Sequence, residues 1–150
     1  MKRLLLILLL LPFFVSCKND EEDDEQPNFS EFIKGTWEAS STREEVFDAS
    51  GKKTEDRTYT SKSTFVFEDA KYTVYQDGIQ PNVVPYTIRK DGGKTIIHVD
   101  IQQVNTKLDH EIKSLTTTNM TWVHEGPLQM TNPDGTTING SVKITSEFKR

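Results

Sequence analysis

The 150-residue chain contains a single cysteine, Cys17. No disulfide can form within it, which excludes the small cysteine-stapled folds. It also lacks a long apolar run: the stretch from Leu4 to Val15 spans only 12 residues and contains Pro12, whereas a membrane-spanning helix needs roughly 20. A basic surplus is missing as well. Lysine and arginine number 18 against 23 acids, a net charge of −5, which argues against the basic face that nucleic-acid binding requires. No Gly-x-Ser-x-Gly elbow, no glycine loop leading into a helix and no His-x-His pair occurs, so the signatures of serine hydrolysis, phosphate cradling and close metal ligation are all absent. The chain therefore reads as non-catalytic, with no cofactor, no metal and no nucleic-acid partner.

The N-terminus is informative. Lys2 and Arg3, the short apolar run and the small residue Ser16 follow the order of a secretory signal peptide. The end of that segment, Phe14-Val15-Ser16-Cys17, resembles the lipobox of bacterial lipoproteins, with Phe14 in place of the preferred leucine. The resemblance implies cleavage after residue 16 and attachment of lipid to Cys17. At about 0.8 kcal/mol per buried methylene, two or three acyl chains make such an anchor effectively permanent.

Residues 17–28 then read as a lipidated cysteine followed by an acidic, disordered tether. Six consecutive acids run from Asp20 to Glu25; such a block repels itself and buries nothing. Extended, the tether would hold the rest of the chain about 35 Å from the lipid. Lys18-Asn19 and the acids resemble the export signal of surface lipoproteins of the Bacteroidota, although Asn19 separates the lysine from the acids. This implies an outer-membrane location, exposed at the cell surface, with the periplasmic face as the alternative.

Residues 29–150 form one domain of ordinary size. Removing the signal and the tether takes away three basic and six acidic residues, which leaves this domain near neutral. Phe29 to Ile33 suggests a helical turn capped by Ser30 and ended by Gly35. Beyond it the apolar period becomes two, punctuated by turn residues. Strands are expected over Thr36–Asp48, Glu55–Glu68, Lys71–Gln76, Val83–Lys90, Lys94–Ile101, His110–Leu115, Asn119–Glu125 and Thr136–Phe148. Gln102 to Asp109 reads as a looser stretch, and Gly126-Pro127 as a break. Pro85 marks a strand edge or bulge. Eight strands at roughly ten-residue spacing predict an all-β fold: an eight-stranded antiparallel meander barrel, or alternatively a β-sandwich.

Gly35-Thr36-Trp37, at the start of the first strand and after a helical turn, resembles the Gly-x-Trp signature of lipocalins. The segment Ile112 to Trp122 is similar to a late hairpin of the lipocalin-like domains of Bacteroidota lipoproteins. The resemblance implies that Gly35 and Trp37 are structural, with the tryptophan plugging the closed end of the barrel. Secreted lipocalins often pack an arginine from the last strand over that ring by a cation–π contact. Lys143, Lys149 and Arg150 are available, and none matches the pattern well.

Tyr72, Tyr86 and Trp122 are the candidate ligand-binding residues, placed at a cavity mouth where they would stack on a small, largely apolar ligand. The competing reading makes them ordinary core and cross-strand pairs. His98, His110 and His124 fall on neighbouring strands, but each sits among polar residues typical of a solvated face. The resulting expectation is a membrane-anchored binding protein for a small apolar ligand. The alternative is a protein–protein interaction module, an accessory subunit of a cell-surface complex with an unknown partner.

Overall fold

The structure is a computed structural model that describes residues 29–60, 62–101, 106–131 and 134–150. The expected signal peptide, Cys17 and the acidic tether lie outside the described residues. Among the described residues, no helix is long and apolar enough to cross a membrane.

The chain opens with a short helix α1 (Phe29–Ile33), starting one residue before the Ser30 cap that the sequence suggests. Nine strands follow: β1 (Gly35–Asp48), β2 (Lys53–Tyr59), β3 (Thr64–Glu68), β4 (Lys71–Gln76), β5 (Ile79–Asp91), β6 (Lys94–Ile101), β7 (Thr106–Leu115), β8 (Asn119–Thr131) and β9 (Thr137–Lys149). All neighbours pair antiparallel in the order β2-β1-β3-β4-β5-β6-β7-β8-β9, and β9 returns to pair with β1. β1 and β3 to β9 therefore close an eight-stranded meander barrel, with β2 as an additional strand. Closure rules out the sandwich alternative.

Two departures from the sequence reading have clear causes. The expected second strand is divided into β2 and β3, which pair with successive halves of the same side of β1: Thr42 opposes Tyr59, and Trp37 opposes Phe65. β1 itself shifts register between Ala39 and Ser41 where it runs against β9, and its partner strand breaks at the same level. β8 also runs straight through Gly126-Pro127. Its pairing to β7 stops at His124, while its pairing to β9 continues to Thr131. Beyond His124, β8 is thus an edge strand on one side, where a residue lacking an N–H is tolerated.

Pro85 occupies a similar position. β5 pairs with β4 up to Pro85 and with β6 from Tyr86 onward. The Tyr86 N–H donates to Ala70 O on the β4 side at 2.9 Å. By alternation, the nitrogen of Pro85 faces the side where β5 has no partner, as the sequence reading of an edge requires.

The core is aromatic. Trp37, Phe67, Tyr72, Tyr86, Trp122 and Phe148 are buried together with Ile33, Ile97, Val99 and Met120. Opposing strands deliver these side chains to one face in register: Trp122 opposes Ile112, and Phe148 opposes Met120. Alternation lets a chain only 34% hydrophobic fill a barrel, since most strands bury one face; the exceptions are on β6 and β8, where Ile96 and Val123 are buried beside Ile97 and Trp122.

Candidate functional site

One end of the barrel is plugged. Trp37 is fully buried, and its Nε1–H donates to the Ile33 carbonyl of α1 at 2.7 Å. The guanidinium of Arg150 lies over the indole, 4.2 Å from the ring centroid. This corrects the sequence reading, in which none of the three basic residues of the last strand suited the position. Arg150 follows the end of β9 and folds back over the plug, donating to the carbonyls of Phe32 and Lys34. Gly35 is required on two counts. Its φ is +112°, and a Cβ there would stand 3.3 Å from Arg150 Nη2.

The three candidate ligand residues come together inside the barrel. Tyr72 packs 6.1 Å from Tyr86 and 6.3 Å from Trp122, measured between ring centroids. Trp122 meets Phe148 edge-on at 4.6 Å and Phe65 at 5.7 Å. Both Tyr72 and Trp122 are buried, and burial pushes the Tyr72 hydroxyl up to about 12. Tyr86 donates its hydroxyl to Glu68 O at 2.9 Å and also walls a cleft of about 330 Å³ beside Lys34 and Asp69. These rings thus form the floor above the plug.

The inner face changes character toward the other end. Val74, Ile101 and Leu108 are only half-buried against the core. The same face carries His110, His124 and Glu44, also half-buried. His110 lies directly opposite His124, with ring centroids 5.5 Å apart. Its ring stacks on Trp122 at 4.5 Å, and its Nδ1 is buried without a hydrogen-bond partner. Burial is the main cause that lowers its pKa to about 4, assisted by the neighbouring His124. The ring is therefore neutral at physiological pH.

The histidines were misjudged as a solvated set. His98 does face outward: its Nδ1 meets Asp109 Oδ1 at 2.7 Å, and Arg89 binds the other carboxylate oxygen. These partners hold Asp109 below the usual carboxylate range. His110 and His124 face inward, so the three do not converge. Among the described residues no group of three or more His, Cys, Asp or Glu side chains is arranged to hold a metal. The signal that places His110 was present in the sequence: it shares parity with Leu108 and Ile112, both of them core-facing.

A cleft of about 520 Å³ flanks Gly126 and Val142; its other walls include Phe47, Glu125, Ser141 and Lys143, whose parity is opposite to that of His124, so it belongs to the outer side of the barrel wall. Gly126 shares the inward parity of Trp122 and His124. A Cβ at this glycine would come within 3.0 Å of His124 Nε2.

The domain has the architecture that the Gly-x-Trp resemblance implies: an eight-stranded antiparallel barrel closed by β1 and β9, with a plugged end built on a tryptophan and a helical turn. No protein-family model matches the chain, and no curated protein matches it. Among solved structures it is similar to a lipocalin-like protein from Bacteroides uniformis ATCC 8492, at 13% identity and a TM-score of 0.40, over 79% of this chain and 98% of that one.

Proposed function

We propose that this chain is a lipid-anchored, non-catalytic binding protein that carries a small, largely apolar ligand in its barrel at the outer face of the outer membrane. The observation that carries the binding part is the asymmetry of the barrel. One end is sealed by Trp37, α1 and Arg150, while at the other the inward-facing Val74, Ile101 and Leu108 remain partly exposed above an aromatic floor. Apolar side chains left half-covered inside a closed barrel are the usual setting of a ligand cavity. Native mass spectrometry of the protein purified gently from its own host tests this directly. A retained small molecule of constant mass is expected; a bare protein mass in every gentle preparation would count against a carried ligand.

The anchoring part rests on the lipobox at Cys17. Cys17→Ala is expected to shift the protein from the membrane fraction into the soluble fraction, or to leave it with its signal attached. Fractionation with mass spectrometry of the N-terminus reads the result, and an acylated, membrane-bound variant would refute it.

A second reading is favoured by one surface feature. Tyr75, Ile79 and Val83 are exposed on the β4–β5 hairpin, beside the unpaired side of β5. Such a patch next to a free strand edge suits a protein partner. Loss of pull-down partners on Ile79→Lys and Val83→Lys, with the retained ligand unchanged, would favour that reading.

A further inference from the structure

We infer that the barrel stands with its plugged end on the anionic headgroup phosphates of the lipid surface and opens its mouth to the surrounding medium. The medium, not the bilayer that holds the anchor, is then the source of whatever the barrel takes up. This rests on the anchoring reading of Cys17 and adds an orientation to it.

The fold fixes the point of attachment. α1 begins at Phe29, 12 positions after Cys17. It lies across the plugged end, held by Trp37 Nε1 on the Ile33 carbonyl and by Arg150 on the Phe32 carbonyl. Lys90 Nζ sits over the Phe29 ring, 4.5 Å from its centroid, beside the Gly92-Gly93 turn. The β7–β8 turn is at the same end, where the Arg150 N–H donates to the Thr118 carbonyl at 3.0 Å. The β1–β2 turn and the β8–β9 hairpin stand at the opposite end, where Asp48 opposes Gly140.

Distance favours one orientation. β1 has 14 residues. At about 3.3 Å each and a tilt of about 40°, it carries the chain about 35 Å along the barrel axis. The segment between Cys17 and Phe29 spans about 35 Å at full extension. To bring the mouth to the lipid, it would have to run its whole length along the barrel wall. The plugged end needs no such extension.

Charge favours the same orientation. The elements at the plugged end, residues 29–36, 66–73, 88–96, 111–120 and 147–150, hold eight basic and six acidic residues. The rest of the domain holds seven basic and eleven acidic residues. At the plugged end Lys94 and Lys113 share one carboxylate, that of Glu111. Lys90 has only the Phe29 ring and the Thr95 hydroxyl, and Lys149 has no ion pair among the described residues. Headgroup phosphates attract such a face and repel the acidic mouth. The acids Asp20 to Glu25 end four positions before Phe29, and they are the competitor for the same lysines.

The lipidated full chain, reconstituted in vesicles of phosphatidylcholine with about a quarter phosphatidylglycerol, tests this. Acylation blocks Cys17, so one new cysteine takes one dye. Thr117→Cys places the dye at the plugged end and Ser50→Cys at the mouth, both in exposed turns. Energy transfer to a headgroup-labelled lipid should be at least about twofold more efficient from position 117 than from position 50. Lys113→Glu with Lys149→Glu should narrow that difference, with circular dichroism matching the parent. Equal transfer from the two positions, or more from position 50, overturns the orientation while the anchor stands. A difference unchanged in pure phosphatidylcholine overturns the phosphate contact and assigns the lysines to the acids Asp20 to Glu25. Protein that does not float with the vesicles refutes the anchor, and the orientation falls with it.

Discussion

Trp37→Ala is expected to cost about 3–5 kcal/mol, the range for removing a buried tryptophan, out of the roughly 5–15 kcal/mol that holds a domain together. Three losses coincide. The indole is fully buried, so its removal leaves a cavity at the closed end. Its N–H no longer ties the barrel to α1 through the Ile33 carbonyl. Arg150 loses the ring face on which it rests. Chemical denaturation reads the effect as a large fall in midpoint, and a midpoint equal to wild type would remove the tryptophan from its structural role. Arg150→Ala separates the components: it leaves the buried indole in place and removes the cation–π contact, worth about 0.5–1 kcal/mol at an exposed site, together with the hydrogen bonds to the Phe32 and Lys34 carbonyls. Trp122→Ala is not a mild change either. At 5% exposure, in edge contact with Phe148 and Phe65, this ring supports the floor of the barrel whatever else it touches. A binding defect in that variant therefore has to be separated from a loss of stability.

Acidification from pH 7 to 5 should destabilise the domain by about 2 kcal/mol through His110 alone. The sign follows from the two states. Unfolded, the imidazole titrates near 6.5; folded, burial against Trp122 lowers it to about 4. Between those values the unfolded chain takes up the proton and the folded one resists it. Stability is complete above the unfolded value and falls as the pH drops toward the folded one. The groups around the ring do not reverse this, since His124 opposes a second positive charge and Asp109 compensates only in part. The carboxylates held low by their partners, Asp48, Asp56, Asp109, Glu111 and Asp134, lose their contributions only at lower pH. The window from 7 to 5 therefore lies above these carboxylates, and His110→Phe separates this ring from the other two histidines. His110→Phe keeps a flat ring against Trp122 and removes both the titration and the orphaned Nδ1. Denaturation midpoints for this variant should be nearly level from pH 7 to 5. A slope as steep as the parent's would assign the acid sensitivity elsewhere.

The outline of the fold was legible because turns punctuate it. Asp77-Gly78 and Gly92-Gly93 sit between strands, with Gly78, Gly92 and Gly93 at positive φ, and Gly35-Thr36-Trp37 marks the plugged end. What escaped was everything set by a partner distant in sequence. The break between β2 and β3 depends on β1 changing partner along its length, and the passage of β8 through Pro127 depends on where β7 stops. Arg150 lies 113 positions from Trp37 and was judged by its place in the strand, whereas its side chain reaches back over the end of the barrel. His110 was misjudged for a local reason. Its immediate neighbours Asp109 and Glu111 are charged, and in a strand those neighbours face the other side. The alternation Leu108, His110, Ile112 was the better guide.

The pairing of β1 with β9, Glu38 against Lys149, has a consequence for biogenesis. The first and last strands are neighbours, so the ring cannot close until the whole chain has been delivered. Loop-closure entropy across more than a hundred residues also delays that last contact. An open interval is thereby written into the topology, during which the unpaired edges of β1 and β9 remain available to chaperones.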